Sequence, residues 1–484
     1  MTLFIVKETK IISLFISKSR GFQTCIMMNR TQNIIIIFTL LLGFSTLAQV
    51  KNWTLEECVL YALKNNISIK QSELDVTATA IDKSSALGSF LPSFNGGLSH
   101  SWNIGLNQNI VTGLLQNQTT QYTSASLSSN VTIYNGLQKQ NRLVRARLSQ
   151  LAAQYQLDKM KDDISLYVAN GYLDILFNKE YLKVQQEQLE NDEKRLVRSQ
   201  ELVDAGSVPR GDLLDMKATL AADKQKIVVA ENNLLISKLS LSKLLQLDDF
   251  QNFDIADVNF EATQSTVMTE TPETILEKAK QIRAEIKIAQ ANLDLAQKDI
   301  AISKGAYQPS LTGFYSFSTR ASYSDRIVGI DNNGKPILAG PLPLLDQLSD
   351  NKGHNFGVQL NIPILNGFST RNNVEKSKVN LEKSNNAFHQ AQSDLEKNVY
   401  KAITDAKGAL KVYESSLATV EARQEAFNYA KEKYAVGMMN SFDFNQSQTI
   451  YVTAQSDAIR AKYDYIFKTK VVELYFGIPI IQKQ

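Results

Sequence analysis

The chain has 484 residues, 43% of them hydrophobic, with 52 lysine and arginine residues against 49 aspartate and glutamate residues. An apolar fraction close to that of ordinary folded proteins excludes wholesale disorder. Two cysteines and three histidines are too few for a disulfide framework or for a metal cluster that spacing would reveal. The nine prolines are few for this length, which favours long uninterrupted helices.

The first 48 residues are predicted to be a leader that contains a secretory signal peptide. A basic start at 28–30, an apolar run at 34–44 and small residues before position 49 are typical of such a peptide. The alternative, a transmembrane anchor, is disfavoured because a spanning helix needs about 20 apolar residues. We expect translation to start at Met28. Without the leader the chain has 47 basic and 48 acidic residues, a balance that argues against nucleic-acid binding.

The segment after the leader alternates helices with strand-like runs. Thr54 and Glu57 form a capping-box pattern at the start of one helix, and Pro92 ends the next helix. From Phe94 to Leu106 every second residue is mostly apolar, whereas Ser, Asn and Gly fill most positions between them. Such alternation predicts strands with one apolar face, here at about 93–106, 122–134, 310–320 and 355–365.

The predicted strands fit either a soluble sandwich or a membrane barrel. Their length of about ten residues or more, and polar faces that carry uncharged Ser, Asn and Gln, favour the barrel. Long polar loops at about 107–121 and 321–353 point the same way, because outer loops of membrane barrels are long. Asn332-Asn333-Gly334 in the longer loop is a turn signal.

Each pair of strands is followed by a very long helical segment. No proline occurs between Gly136 and Asp204. Apolar residues recur there every seven positions, at Val168, Ile175, Leu182, Leu189, Leu196 and Val203. A seven-residue period predicts coiled-coil packing, although an isolated soluble coiled coil would show it too. Turns that contain glycine then reverse the chain, which predicts long helical hairpins at 137–246 and 368–475.

The two halves of the chain share this order of elements at a constant offset. Gly136 and Gly206 of the first half correspond to Gly367 and Gly437 of the second half, and the difference in residue number is the same for both pairs. A constant offset indicates a duplicated architecture. The predicted divisions are a leader at 1–48, a first repeat at 49–247, a linker at 248–270, a second repeat at 271–478 and a tail at 479–484. The second repeat carries an insertion between its strand-like runs.

This order of elements resembles the TolC-like outer-membrane factor family over about residues 53–478. The resemblance rests on the duplicated arrangement, the turns Asn135-Gly136 and Asn366-Gly367, and the segment Tyr434-Ala435-Val436-Gly437. It implies a mixed α and membrane-β fold with two internal repeats per chain. Four strands cannot close a barrel, so we expect the chain to contribute strands to a barrel shared among subunits. The resemblance implies that this assembly is a homotrimer with a twelve-stranded outer-membrane β-barrel. A long α-helical coiled-coil tunnel continues that barrel into the periplasm.

The resemblance also implies a function. Members of the family are passive exit ducts of tripartite efflux pumps or type I secretion systems, and they open at the periplasmic end. Their partners are a periplasmic adaptor (membrane fusion) protein, an inner-membrane RND or ABC transporter, and outer-membrane lipid. No enzymatic activity or cofactor is expected, because no nucleophile–base motif or phosphate-binding loop is present. The alternative is a structural coiled-coil surface protein without channel activity. It would explain the long helical hairpins but not the paired strands.

The resemblance places a periplasmic gate at the second turn. The family pattern has a tyrosine, a glycine, an arginine and two aspartates along this segment, and Met439 stands here in place of the arginine. The gate and selectivity residues implied in this chain are Tyr434, Asp443, Gln446 and, at the equivalent position of the first repeat, Asp212. Three copies of Asp443 around a narrow pore would attract cations. The alternative is that Asp443 and Asp212 only stabilise helix N-termini.

The tips of the two hairpins are predicted to bind the adaptor. Their residues are small or apolar, and exposed apolar groups often mark partner sites. The predicted docking residues are Gly206, Ser207, Val208, Val436, Gly437 and Met438.

Overall fold

The computed structural model describes residues 52–108, 113–258, 260 and 265–480. The predicted leader at 1–48, with the start at Met28, lies outside the described residues, as do parts of the predicted linker and tail. The described residues form long helices joined to a four-stranded sheet and two small two-stranded sheets.

The first half contains a short strand, two helices, two long strands and a helical hairpin. These are β1 (Asn52–Trp53), α1 (Leu55–Asn65), α2 (Ile67–Gly88), β2 (Ser93–Gln108), β3 (Leu115–Asn135), α3 (Gln138–Asp204) and α4 (Arg210–Leu245). The second half follows the same order with additional elements between its long strands. It contains β4 (Asp254–Ile255), α5 (Pro272–Ile282), α6 (Ala284–Gly305), β5 (Ser310–Ser322), β6 (Arg326–Ile330), β7 (Pro336–Ala339), α7 (Leu344–Asp350), β8 (Gly353–Asn361), α8 (Ser369–Ala435) and α9 (Ser441–Phe476).

The helices of the two halves match in length. α1 and α5 have 11 residues each, α2 and α6 have 22, α3 and α8 have 67, and α4 and α9 have 36. One offset in residue number relates the starts of both pairs of short helices, and a larger offset relates the starts of both pairs of long helices. At about 1.5 Å per residue, the 67 residues of α3 or α8 extend over about 100 Å.

Local hydrogen bonds explain where the short helices begin. The Glu57 N–H donates to Thr54 Oγ1 at 3.2 Å and the Thr54 N–H donates to Glu57 Oε2 at 3.0 Å, which confirms the predicted capping box. Thr271 caps α5 in a similar way by accepting from the Thr274 N–H at 3.3 Å. Each cap satisfies an amide that the first helical turn leaves without a partner.

Two apolar cores hold the hairpins near the middle of their length. In the first half, side chains of α1, α3 and α4 pack around the parallel pairing of β1 with β4. They include Val59, Tyr172, Ile175 and Leu241, which pack with Ile255 of β4. In the second half, side chains of α5, α8 and α9 form the equivalent cluster, with Ile275, Val399, Ile403 and Val472. Fully burying one such side chain stabilises the fold by about 1.5–3 kcal/mol.

The seven-residue period of α3 is present, but its buried stripe differs from the predicted one. Val168 and Ile175 are fully buried, whereas Leu182, Leu189, Leu196 and Val203 are only half-buried. Towards the tip the buried positions are polar and also seven residues apart: Asn178, Gln185, Asp192 and Ser199. Within the single chain, the contact of α3 inside the hairpin is therefore polar near the tip, and the apolar heptad positions there are only partly covered.

The four long strands form one antiparallel sheet in the order β2-β3-β5-β8. Cross-strand partners on one face are mainly apolar, as in the pairs Leu98 with Ala125, Leu127 with Phe317 and Tyr315 with Phe356. Partners on the other face are mainly small and polar, as in Ser99 with Ser124, Ser126 with Ser318 and Thr312 with Gln359. Within the described strands the polar face carries one charged side chain, Arg320, whose guanidinium carbon lies 3.6 Å from the Tyr122 ring centroid.

Two strand boundaries and one loop differ from the predictions. β3 starts at Leu115 rather than near 122, because it pairs with β2 well beyond its pairing with β5. β8 ends at Asn361 rather than near 365, just before Pro363, which has no N–H to donate. The predicted polar loop at 321–353 contains the β6–β7 hairpin and α7. The predicted turn at Gly334 is confirmed, with a φ of 78°.

Among the described helices, none combines the length and the hydropathy that crossing a bilayer requires.

Candidate functional site at the hairpin tips

Each long hairpin reverses at a turn built on a glycine. At the first turn Gly206 has a φ of 75°, and the Ser207 N–H donates to a carbonyl of the last turn of α3 at 2.9 Å. At the second turn Gly437 has a φ of 76°, and the Met438 N–H donates to a carbonyl of the last turn of α8 at 2.9 Å. Glycine adopts a φ of this sign without strain, so both helices end in the same way.

The residues predicted to dock an adaptor lie at these turns. Five of the six are exposed, namely Gly206, Ser207, Val436, Gly437 and Met438. Val208 is half-buried, contrary to the expectation that the whole tip is exposed.

The four predicted gate residues do not come together into one cluster within the chain. Asp443 lies exposed in the first turn of α9, where its N–H donates to Asn440 Oδ1 at 2.8 Å and its Oδ2 accepts from Asn440 Nδ2 at 2.9 Å. Gln446 is exposed one turn further along α9. Asp212 lies in the first turn of α4 and is half-buried. The helix N-terminal role is therefore visible for Asp443.

Tyr434 belongs instead to a polar cluster centred on Arg195 of α3. Arg195 Nη1 donates to Asp192 Oδ1 at 2.8 Å and also to Gln448 Oε1. Its Nη2 donates to Asn445 Oδ1 at 2.7 Å. Because Asn445 and Gln448 lie on α9, one guanidinium connects the hairpin of the first half to the hairpin of the second.

Aromatic rings enclose this guanidinium. Its carbon lies 4.1 Å from the Phe444 ring centroid and 5.7 Å from the Tyr434 ring centroid. The two rings pack against each other with centroids 4.8 Å apart. A guanidinium over an aromatic face gains about 0.5–2 kcal/mol, more where water is excluded. Burial lowers the pKa of Arg195, and the neighbouring Asp192 opposes that shift.

Two carboxyl groups meet inside the first hairpin, next to Arg195. Asp192 of α3 is 0% exposed and Asp223 of α4 is 2% exposed. Asp192 also accepts from Gln188 Nε2 at 2.7 Å and from Gln448 Nε2 at 3.0 Å, and Asp223 accepts from Lys226 Nζ at 2.9 Å. Burial and the hydrogen bond to Asp223 raise the pKa of Asp192 to about 6. A protonated Asp192 would donate a hydrogen bond to Asp223 Oδ2, a buried oxygen that has no other donor among the described residues.

The Arg195 cluster was not predicted from the sequence. Arg195 and Gln448 are 253 residues apart, and no spacing rule relates positions on different helices at that separation. One signal was available: Asn178, Gln185, Asp192 and Ser199 place four polar residues at heptad spacing. Polar residues at the contact positions of a coiled coil are typical of sites where specificity matters. Among the described side chains, no group of three or more potential metal ligands is found.

Comparison with known proteins identifies the architecture. The chain is 21% identical over 453 residues to the outer membrane protein TolC of Escherichia coli strain K12, which covers 92% of this chain and 85% of TolC. It is 21% identical over 435 residues to the outer membrane efflux protein BepC of Brucella suis, which covers 88% of this chain and 85% of BepC.

Solved structures share the fold. The Campylobacter jejuni CmeC outer membrane channel superimposes with a TM-score of 0.74 at 19% identity, over 89% of this chain and 87% of CmeC. The outer membrane protein VceC of Vibrio cholerae superimposes with a TM-score of 0.71 at 13% identity, over 87% of this chain and 96% of VceC. At these identities the likeness concerns the fold alone.

The sheet with one apolar and one polar face, joined to helical hairpins about 100 Å long, matches the fold of an outer-membrane channel. The chain belongs to the outer membrane efflux protein family, whose model matches residues 60–246 and 275–475. It is therefore a protein of the outer membrane, with its helical hairpins in the periplasm.

The raised pKa of Asp192 predicts a pH-dependent stability. Between about pH 4 and 6, Asp192 keeps its proton in the native state but has lost it in the unfolded state. The stabilisation of the native state by this proton is therefore complete below about pH 4 and is lost as the pH rises through 6. The slope is at most one proton, or about 1.4 kcal/mol per pH unit. The Asp192→Asn variant should flatten the dependence of the thermal unfolding temperature on pH over this range.

The matched control for this experiment is Asp215→Asn, which changes an exposed aspartate of the same hairpin. It should keep the slope of the unmodified protein. An unchanged slope in Asp192→Asn would show that Asp192 does not titrate in this range.

Proposed function

We propose that the chain forms a homotrimeric exit duct, a passive channel of a tripartite efflux pump or type I secretion system. Each subunit contributes β2, β3, β5 and β8 to a twelve-stranded barrel, and the hairpins continue that barrel as a periplasmic tunnel. The observation that carries the proposal is the four-stranded sheet with two open edges, one apolar face and one polar face.

The open edges favour closure between subunits. β2 and β8 each pair on one side only within the described part of the chain. An unpaired backbone amide or carbonyl in hydrocarbon costs several kcal/mol, so an open four-stranded sheet is not tolerated in a membrane. Pairing of β8 with β2 of the next subunit is antiparallel, as every other pairing in the sheet is, and removes both edges.

The two faces of the sheet fit lipid on one side and water on the other. Exposed apolar side chains lie along the face that contains Leu98 and Phe356. The opposite face has Ser, Asn, Gln and Thr at most positions, with Arg320 as its charged side chain within the described strands. An uncharged polar lining suits a pore that passes varied solutes without binding them strongly.

We further propose that the Arg195 cluster holds the periplasmic end closed. It connects α3 to α9 near the tips, where the family pattern has an arginine and this chain has Met439. Opening requires the two hairpins to separate, which breaks the contacts of Arg195 with Gln448, Asn445 and Phe444. Engagement of the adaptor and the inner-membrane transporter would supply the free energy for this separation.

Around the same opening, Asp443, Gln446, Tyr434 and Asp212 are proposed to face the pore in the trimer. Asp443 and Gln446 are exposed within the single chain, which leaves them free to do so. The family pattern has two aspartates in this segment, whereas α9 of this chain has one there, Asp443. A single ring of three carboxylates attracts cations more weakly than two such rings would.

Removal of the Arg195 side chain should open the channel. Arg195→Ala leaves Asp192 buried without its cation, and breaking a buried pair in this way costs about 3–5 kcal/mol. In planar bilayers, the purified variant should spend more time in high-conductance states, with a several-fold larger mean conductance. Arg198→Ala, which removes an exposed arginine one turn further along α3, is the matched control. Equal conductance of the Arg195→Ala variant and the control would refute the latch.

Neutralisation of Asp443 should weaken cation selectivity. Asp443→Asn retains an oxygen that can accept from Asn440, so the helix cap is kept while the charge is lost. The reversal potential in a KCl gradient should move towards zero. Gln446→Asp should move it in the opposite direction, because it adds a second acidic ring. If neither variant changes the reversal potential, these residues do not face the pore.

Charges at the tips should disrupt adaptor binding. Val208→Asp and Met438→Asp place a carboxylate in the apolar tip, which costs desolvation on docking. We expect loss of chemical cross-linking to the adaptor, while the trimer band on gels persists. Met438→Leu keeps an apolar side chain and should retain cross-linking. Unchanged cross-linking in both charged variants would place the adaptor elsewhere.

A further inference from the structure

The junction between the sheet and the long helices is built differently in the two halves. In the first half, the Lys139 ammonium lies between the α2–β2 turn and the end of β3. Its Nζ donates to the Ser89 carbonyl, and to the Thr132 carbonyl at 3.4 Å, and it lies 5.9 Å from the Phe90 ring centroid. One lysine therefore occupies the space at this junction and provides a donor for two backbone carbonyls.

The second half has a threonine in place of this lysine. By the offset that relates the long helices, Thr370 is the equivalent of Lys139. Thr370 is 6% exposed, and its hydroxyl accepts from Asn366 Nδ2. Because a threonine side chain is three atoms shorter than that of lysine, it cannot fill the space that the Lys139 side chain fills.

The second half has a cavity of about 230 Å³ at this junction. Four of its lining residues are the equivalents of Ser89, Phe90, Thr132 and Lys139 by the two offsets that relate the helices. In that order they are Ala306, Tyr307, Pro363 and Thr370. The cavity therefore lies where the first half holds the lysine side chain.

The two carbonyls that Lys139 contacts in the first half have no such donor in the second. In the described part of the chain, no residue donates a hydrogen bond to the carbonyl of Ala306 or of Pro363. A carbonyl shielded from water is stabilised by a donor, and most strongly by a charged one. The first half shows that a primary ammonium fits between two carbonyls placed in this way.

A positive charge also lines the cavity. Arg371 stands at the position of Gln140 and is exposed. It forms no salt bridge with any residue that the structure describes, and Glu375, one turn further along α8, lies 2.8 Å from the Lys378 ammonium instead. An exposed guanidinium of this kind is suited to a phosphate, which it can bind through two parallel hydrogen bonds.

Apolar side chains lead from the sheet to the cavity. The apolar alternation of β8 continues past the end of the strand to Ile362 and Ile364. Ile364, Leu365 and Phe368 line the cavity and are 93%, 87% and 65% exposed. The cavity is thus continuous with the apolar face of the sheet and lies beside the first turn of a periplasmic helix.

We propose that this cavity binds a phospholipid that carries a primary ammonium, an ethanolamine phospholipid of the periplasmic leaflet. The lipid ammonium takes the place of Lys139 Nζ and donates to the carbonyls of Ala306 and Pro363. The phosphate pairs with Arg371, and the acyl chains lie along the apolar side chains that begin at Ile364. The proposal rests on the barrel proposed above, because lipid reaches the cavity along the outer face of the sheet.

The same chemistry separates this lipid from other phospholipids. A choline headgroup has a quaternary nitrogen that carries no hydrogen, so it cannot donate to the two carbonyls. A glycerol headgroup carries no cation. All three lipids have the phosphate that Arg371 would bind, so the discrimination has to come from the ammonium.

Native mass spectrometry of the purified full-length protein tests the proposal, because one spectrum counts both subunits and bound lipids. The delipidated protein is mixed with phospholipids of identical acyl chains that carry an ethanolamine, a choline or a glycerol headgroup. We expect one ethanolamine lipid per chain, bound about tenfold more tightly than the choline lipid, which is the effect of about one charge-assisted hydrogen bond.

Two variants remove the two polar contacts separately. Thr370→Lys introduces the side chain that fills the equivalent space in the first half, and should abolish the preference for ethanolamine. Arg371→Gln introduces the residue of the first half at an exposed position, and should weaken binding of all three lipids several-fold. The matched control is Asn373→Lys, which adds the same charge as Thr370→Lys at an exposed position, the equivalent of Arg142, and should keep the preference.

The outcomes distinguish the cavity from the duct. Trimers that bind the three lipids equally, or an ethanolamine preference that persists in Thr370→Lys, would overturn the lipid site and leave the duct in place. If Thr370→Lys does not assemble, unchanged lipid binding by Arg371→Gln would overturn the proposed headgroup contacts. Spectra that show only monomers would overturn the duct, whichever lipid is bound.

Discussion

The pairing of backbone amides and carbonyls in a membrane constrains everything else in this molecule. In the described part of the chain the long strands form one four-stranded sheet with open edges at β2 and β8, and hydrocarbon offers no partner for those edges. In the proposed duct, closure comes from other copies of the chain.

The duplicated scaffold serves two different purposes at its two ends. Near the membrane the halves remain alike, with Gly136 and Gly367 at equivalent turns and helices of equal length on either side. Near the tips they differ, because Arg195 and the Asp192–Asp223 pair belong to the first hairpin. A buried pair of carboxyls and a bridging guanidinium add little net stability but require one specific arrangement of the helices. That combination suits the proposed opening at the hairpin tips.

Much of the fold could be predicted from the sequence because its signals are local. Glycine turns, the capping box at Thr54 and the absence of proline from 136 to 204 all act within a few residues. The Arg195 cluster could not be predicted, because α3 meets α9 only through tertiary packing. The same holds for the extent of β3, which depends on its pairing with β2, and for the polar stripe that replaces Leu189 and Leu196 at the hairpin contact. The family resemblance predicted Asp443 as a gate residue, and that stays a prediction; it gave no indication of Arg195, on which the observed contacts between the two hairpins concentrate.

Closure of the sheet edges by neighbouring subunits is the step on which the proposed duct depends. Electron cryo-microscopy of the purified protein in lipid nanodiscs tests it most directly, because the backbone trace of each strand is visible. We predict three chains around one axis, with β8 of each chain hydrogen-bonded to β2 of the next in a continuous barrel. A monomer in the nanodisc, or an assembly in which β2 and β8 remain unpaired, would contradict this closure.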